Sequence, residues 1–120
     1  MSKKILIIDD EPQLVKSISV RFKASGYEVV SAGDGVSGIN KFKEEPPDLV
    51  ILDIMMPGLS GLDTLRELKQ LNAAVPVIML TAYGTPQSAI EALRLGAYDH
   101  LAKPFNTETL LEMIKKAITR

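Results

Sequence analysis

Short apolar runs and longer amphipathic stretches alternate five times along the chain. Ile5 to Ile8, Leu49 to Leu52 and Val77 to Leu80 are apolar at every position instead of every second one, the pattern of parallel strands covered by helices on both faces. Tyr27 to Ala32 is less apolar and is expected at an edge of the sheet. Tyr98 to Ala102 completes a set of five strands.

The intervening stretches carry helix punctuation. Pro12 suits a first turn capped by Asp10 or Glu11, and Gly26 closes a segment in which Leu14, Val15, Ile18 and Phe22 share one face. A second helix is expected from Gly35 to Glu44, with Val36, Ile39 and Phe42 on one side and Pro46-Pro47 as its stop. Ser60 can cap a third, with Leu62, Leu65, Leu68 and Leu71 inward. Thr85-Pro86 opens a fourth that Gly96 ends, and Asn106 or Thr107 opens a fifth. In the last, Leu110, Leu111, Ile114, Ala117 and Ile118 form one apolar stripe. Five strand–helix units with right-handed crossovers leave few arrangements. The expected fold is α/β, a three-layer doubly wound (βα)5 sandwich of flavodoxin-like type with strand order 2-1-3-4-5.

Composition narrows the picture further. A length of 120 residues fits a single domain, read as residues 1–120, and 46% hydrophobic with 24% charged residues is ordinary for a folded chain. The net charge of −1, with both signs mixed along the sequence, offers no basic face for direct nucleic-acid contact and no basic amphipathic stretch for a membrane. The absence of Cys excludes disulfides, thiolate metal sites and a Cys nucleophile. Ile5 to Ile8 is too short for a signal-peptide core or a spanning helix, so a cytoplasmic location is expected.

The candidate chemistry lies where the strands end. In an open parallel sheet the carboxyl ends share one edge, where ligands bind. The first strand there carries Asp9-Asp10, the third Asp53, the fourth Thr81 and the fifth Lys103. Two like charges about 4 Å apart repel by about 4 kcal/mol at an effective dielectric of 20, so three gathered carboxylates require a positive partner. Oxygen-only ligation suits Mg²⁺, with Mn²⁺ also fitting. Lys103 adds a point charge and Thr81 a hydroxyl for phosphoryl oxygens, and Asp53 can itself be the nucleophile, giving an aspartyl phosphate. Taken singly each residue has an ordinary explanation, as a helix cap, a turn residue or a solvated charge; the joint occurrence favours the site.

These motifs together resemble the receiver domains of bacterial two-component response regulators, including the chemotaxis and sporulation-phosphorelay regulators. Ile7-Ile8-Asp9-Asp10-Glu11 resembles the family's acidic pair, and Leu52-Asp53 through Gly61 its phosphoacceptor and following loop. Leu80-Thr81-Ala82 matches its hydroxyl position, and Gly96 through Phe105, containing Lys103-Pro104, its lysine–proline motif. The likeness spans the whole chain. It implies that Asp53 accepts a phosphoryl group from a phosphohistidine on a sensor histidine kinase or histidine phosphotransfer protein, the chain catalysing only its own phosphorylation and dephosphorylation. It implies Mg²⁺ held by Asp10, Asp53 and the backbone carbonyl of Met55, with Asp9 acting through water. It also implies a cis Lys103–Pro104 bond, and a small Ala82 that leaves the phosphoryl site accessible.

The same resemblance places the family's switch residue at His100, where Tyr or Phe is usual and where relay-type members carry His. The plainer reading of His100 is a ring that fills the groove. Met55 and Tyr83 stand at positions that tune phosphoryl lifetime, and their bulk suggests a long-lived phosphorylated state. Thr81 and His100 lie at the root of the fourth helix, fifth strand and fifth helix, the expected surface for a downstream protein partner, with a monomer or weak homodimer both compatible. The kinase side is expected near the first helix, and Gly84, Thr85 and Pro86 form the expected moving loop.

Three rivals are weaker. Gly33-Asp34-Gly35-Val36-Ser37-Gly38 matches a dinucleotide fingerprint, but it follows the second strand, beside carboxylates that would repel a pyrophosphate. A flavodoxin-like redox carrier would cradle phosphate with backbone and hydroxyl groups, and a degenerate interaction module would lack the acceptor or the lysine, both of which are present.

Overall fold

In the computed structural model, residues 2–54, 58–81 and 86–119 are described, Pro86 by its backbone alone. Five strands alternate with five helices: β1 Lys4–Ile8, α1 Pro12–Ala24, β2 Glu28–Ala32, α2 Gly35–Glu44, β3 Leu49–Asp53, α3 Gly61–Leu71, β4 Val77–Thr81, α4 Pro86–Arg94, β5 Asp99–Ala102 and α5 Thr107–Thr119. All strand pairs are parallel and the sheet order is β2-β1-β3-β4-β5, as the alternation of elements predicts. The fully apolar strands are central, and the more polar β2 is an edge.

Alternation along the strands divides the core into two layers. Leu6, Ile8, Val50, Leu52, Val77 and Met79 face Phe42 of α2, Leu65 and Leu68 of α3 and Ala92 of α4. Ile5, Ile7, Leu49, Ile51, Ile78 and Leu80 face Ile18 and Phe22 of α1 and Leu110, Ile114 and Ala117 of α5. The helix starts are locally encoded. Asp34 caps α2 by accepting from Ser37 N–H at 2.8 Å, and Ser60 caps α3 by accepting from Asp63 N–H at 3.1 Å. Asn106 accepts from Glu108 N–H at 2.8 Å ahead of α5.

Two helices are rotated from the phase that their apolar residues suggest. Val36 is 59% exposed and Leu71 44% exposed, although both were expected on an inward side. Small residues take their places. A Cβ on Gly38 would lie 2.4 Å from Ile8 Cδ1, and one on Gly35 would lie 2.3 Å from the Thr64 hydroxyl, so α2 packs through its glycines. In α3, Gly61 and Thr64 join Leu65 and Leu68 on the buried face. A Cβ on Gly33 would meet nothing within 4 Å, so packing makes no demand for glycine there. The strands also begin one residue later than expected at Glu28 and Asp99, Tyr98 N–H instead reaching Val77 O at 2.8 Å.

Gly61 ties the fold to the sheet edge. A Cβ there would sit 2.3 Å from Asp53 O and 2.5 Å from Ile54 Cα, a clash with backbone that no rotamer relieves. Gly61→Ala should therefore cost about 2–3 kcal/mol in denaturant unfolding, whereas Gly33→Ala should change stability by no more than about 0.5 kcal/mol.

Candidate functional site

The register of the central strands brings the acidic residues together. Ile8 pairs with Leu52 across β1 and β3, so Asp9 and Asp53 follow side by side at the carboxyl edge. Asp9 N–H donates to Ala32 O at 3.1 Å, continuing the β1–β2 ladder one residue past the strand, and Ile54 N–H donates to Leu80 O at 2.9 Å beyond β3. On the far side, Lys103 N–H donates to Thr81 O at 2.7 Å, which extends the β4–β5 ladder and carries the lysine over the same edge.

The side chains then converge. Asp9, Asp10 and Asp53 each place a carboxylate oxygen within 4.8 Å of the others; Asp9 and Asp53 are buried and Asp10 is exposed. Lys103 Nζ donates to Asp9 Oδ2 at 3.0 Å, to Asp53 Oδ2 at 3.4 Å and to Glu11 Oε1 at 2.5 Å. Burial would lower the pKa of the Lys103 ammonium, but its bonds to Glu11 and Asp9 and its attraction to the Asp9 and Asp53 charges outweigh that cost. The net shift is upward from the usual lysine value. The Lys103–Pro104 peptide bond is cis.

Glu11 was expected, with Asp10 as the alternative, to cap the first helix, and its side chain does something else. It occupies the N-cap position of α1, yet its side chain makes no capping bond; the Asp9 carboxylate accepts from Glu11 N–H at 2.9 Å instead. The run of three acids, Asp9-Asp10-Glu11, was the available signal, but only the fold shows that the third turns toward Lys103.

Thr81 and His100 lie one strand apart. His100 is in register with Met79, and Ala102 with Thr81, so alternation puts His100 and Thr81 on the same sheet face, the one covered by α4. Thr81 Oγ1 and His100 Nδ1 are both buried and have no hydrogen-bond partner among the described residues. His100 Nδ1 is 3.7 Å from Asp99 Oδ1. Met55, Ala82, Tyr83, Gly84 and Thr85 lie outside the described residues.

Chemically, the three aspartates form an all-oxygen donor set with no nitrogen or sulfur ligand, which fits a hard divalent cation such as Mg²⁺. The buried hydroxyl of Thr81 and the ammonium of Lys103 add groups suited to anionic oxygens. No described helix is long and apolar enough to cross a membrane.

Comparison with known proteins gives matches in both sequence and fold. The family model for the response regulator receiver domain matches residues 5–115. The chain is 37% identical over 120 residues to the alkaline phosphatase synthesis transcriptional regulatory protein PhoP of Bacillus subtilis, covering 100% of this chain and 50% of that protein. It is 36% identical over 116 residues to the probable transcriptional regulatory protein TcrX of Mycobacterium tuberculosis, covering 97% and 50%. The chain thus spans about half the length of these relatives. Among solved structures, a CheY-like receiver domain protein from Methanospirillum hungatei superposes with a TM-score of 0.96 at 31% identity, covering 99% of this chain and 95% of that one. A receiver domain from Clostridium thermocellum gives 0.93 at 39% identity, covering 98% and 95%.

The ionic cluster makes a pH-resolved prediction. A lysine whose pKa is raised by folding contributes stability that is complete below the unfolded value of 10.5 and fades only as pH climbs through the higher folded value. Lys103→Met leaves two buried carboxylates without their cation and should cost about 3 kcal/mol in divalent-free buffer. That deficit should be equal at about pH 7 and about pH 9 in urea unfolding; a deficit that shrinks toward the higher pH would mean the ammonium is not held.

Proposed function

The chain belongs to the response regulator receiver domain family, and on that premise we propose that it is a phosphoacceptor whose acceptor is Asp53. One observation carries this reading: Asp53 shares a crevice with Asp9 and Asp10, their oxygens within 4.8 Å of one another, and with a lysine ammonium 3.4 Å away. The donor is a phosphohistidine on a sensor histidine kinase or a histidine phosphotransfer protein. An Asp53 carboxylate oxygen bonds to phosphorus as the P–N bond breaks. The bonding pair returns to the ring nitrogen, and a ring protonated at its other nitrogen leaves as neutral imidazole.

Asp10, Asp53 and the Met55 carbonyl would hold Mg²⁺, with Asp9 acting through water; when bound, the ion neutralises phosphoryl oxygen charge. Lys103 supplies a second, fixed positive charge, and Thr81, whose hydroxyl has no partner among the described residues, turns to a phosphoryl oxygen. The role is that of a signalling domain and not of an enzyme with an external product, the chain promoting only its own phosphorylation and hydrolysis. Residues 1–120 act as one receiver domain in the cytoplasm, with no direct contact to nucleic acid or membrane, as a monomer or weak homodimer.

The signal leaves through α4, β5 and α5. Thr81 and His100 share the sheet face beneath α4, and α4 exposes Ile90 and Leu93 to a downstream protein partner or an onward relay. Phosphorylation draws Thr81 inward and shifts a two-state equilibrium that His100 reports. Ala82 keeps the acceptor accessible, and the bulk of Met55 and Tyr83 slows hydrolysis. Incubation with acetyl phosphate and Mg²⁺ should add one phosphoryl mass to the wild type and none to Asp53→Asn. Equal labelling of both proteins would refute Asp53 as the acceptor.

A further inference from the structure

An ammonium has three donors, and in this structure all three of those on Lys103 are taken: by Asp9, by Asp53 and, at the shortest distance of 2.5 Å, by Glu11. A phosphoryl oxygen can therefore bond Lys103 only if one of these acceptors leaves. The three are not equally able to go. Esterification of Asp53 passes its contact, the longest of the three at 3.4 Å, to the phosphoryl group itself; a second bond from Lys103 to that group then needs the place of Asp9, which is 1% exposed and would be left as a buried charge, or of Glu11, which is 56% exposed and returns its carboxylate to water at little cost.

The placement of Glu11 reinforces the point. It sits at the N-cap of α1 without capping it, its backbone is held by the Asp9 carboxylate, and its side chain is spent on Lys103. We infer that Glu11 is a positioning residue that competes for Lys103: in the unphosphorylated protein it latches the ammonium, and arrival of a phosphoryl group on Asp53 displaces it into solvent. The inference rests on the phosphoacceptor reading and deepens it by naming the contact that phosphorylation must break. Latching parks the lysine at the mouth of the crevice and holds down affinity for the phosphoryl group, so that occupancy requires a committed donor.

A competitor has a distinctive signature, because its loss tightens binding where loss of a supporting residue would weaken it. Beryllium fluoride, a tetrahedral phosphoryl mimic, can be titrated with magnesium present and followed by fluorine NMR. Glu11→Gln and Glu11→Ala should each bind it about two- to fivefold more tightly than the wild type, as expected for loss of a partly exposed ion pair. Glu11→Asp, which keeps the charge on a shorter arm, should fall between them and the wild type. Thermal melts of the same variants should stay close to the wild type, since the Glu11 side chain makes no cap bond to α1 and is largely exposed. Unchanged or weaker binding in Glu11→Gln and Glu11→Ala, with normal binding by the wild type, would overturn the latch alone. No binding by the wild type would overturn the phosphoacceptor reading and the latch together.

Discussion

Four carboxylates face one ammonium at the carboxyl edge of the sheet, and the balance between them governs the rest of the site. Asp9, Asp10, Glu11 and Asp53 bring four formal negative charges and Lys103 returns one, so three remain uncompensated in a crevice whose floor is buried. Like charges at such separations repel by several kcal/mol at an effective dielectric of about 20. A fold optimised for stability alone would not assemble them. The surplus favours entry of a hard cation, which relieves it and leaves Lys103 and the ion as the positive partners that an anionic phosphoryl group needs.

Backbone pairing is what makes the crowding possible. The β1–β3 register sets Asp9 beside Asp53, and the hydrogen bond from Lys103 N–H to Thr81 O carries the lysine one residue past β5 and over them. Gly61 lets the start of α3 press against the Asp53 and Ile54 backbone, where any Cβ would collide. Two apolar layers hold the sheet rigid, so the charged groups have little freedom to drift apart. Strong, directional interactions at the edge are thus imposed by non-directional burial beneath it.

Much of this was legible in the residue pattern, for a definite reason. Parallel strands are apolar throughout, and their ends must share an edge, so Asp9, Asp10, Asp53 and Lys103 could be gathered on paper before any coordinate was known. Helix phase was less legible. Val36 and Leu71 are exposed because Gly35, Gly38, Gly61 and Thr64 occupy the inward positions, and a count of apolar residues gives small ones no weight. Glu11 escaped for a related reason: an acid at a helix start reads as a cap, and only the long-range approach of Lys103, 92 positions away, shows its side chain turned elsewhere.

The same arrangement explains how one local event can be felt at a distance. Thr81 ends β4 at the carboxyl edge and shares with His100 the sheet face beneath α4, so the proposed movement of its hydroxyl would have a short path toward α4 and β5. The central claim remains electrostatic: an acidic crevice with surplus negative charge, open to a hard cation. Its most direct test is a magnesium titration of the unphosphorylated protein followed by backbone amide shifts. The account predicts one saturable site with changes centred on residues 9, 10 and 53, and a marked loss of affinity in Asp10→Asn; absence of saturable shifts, or shifts centred elsewhere, would contradict it.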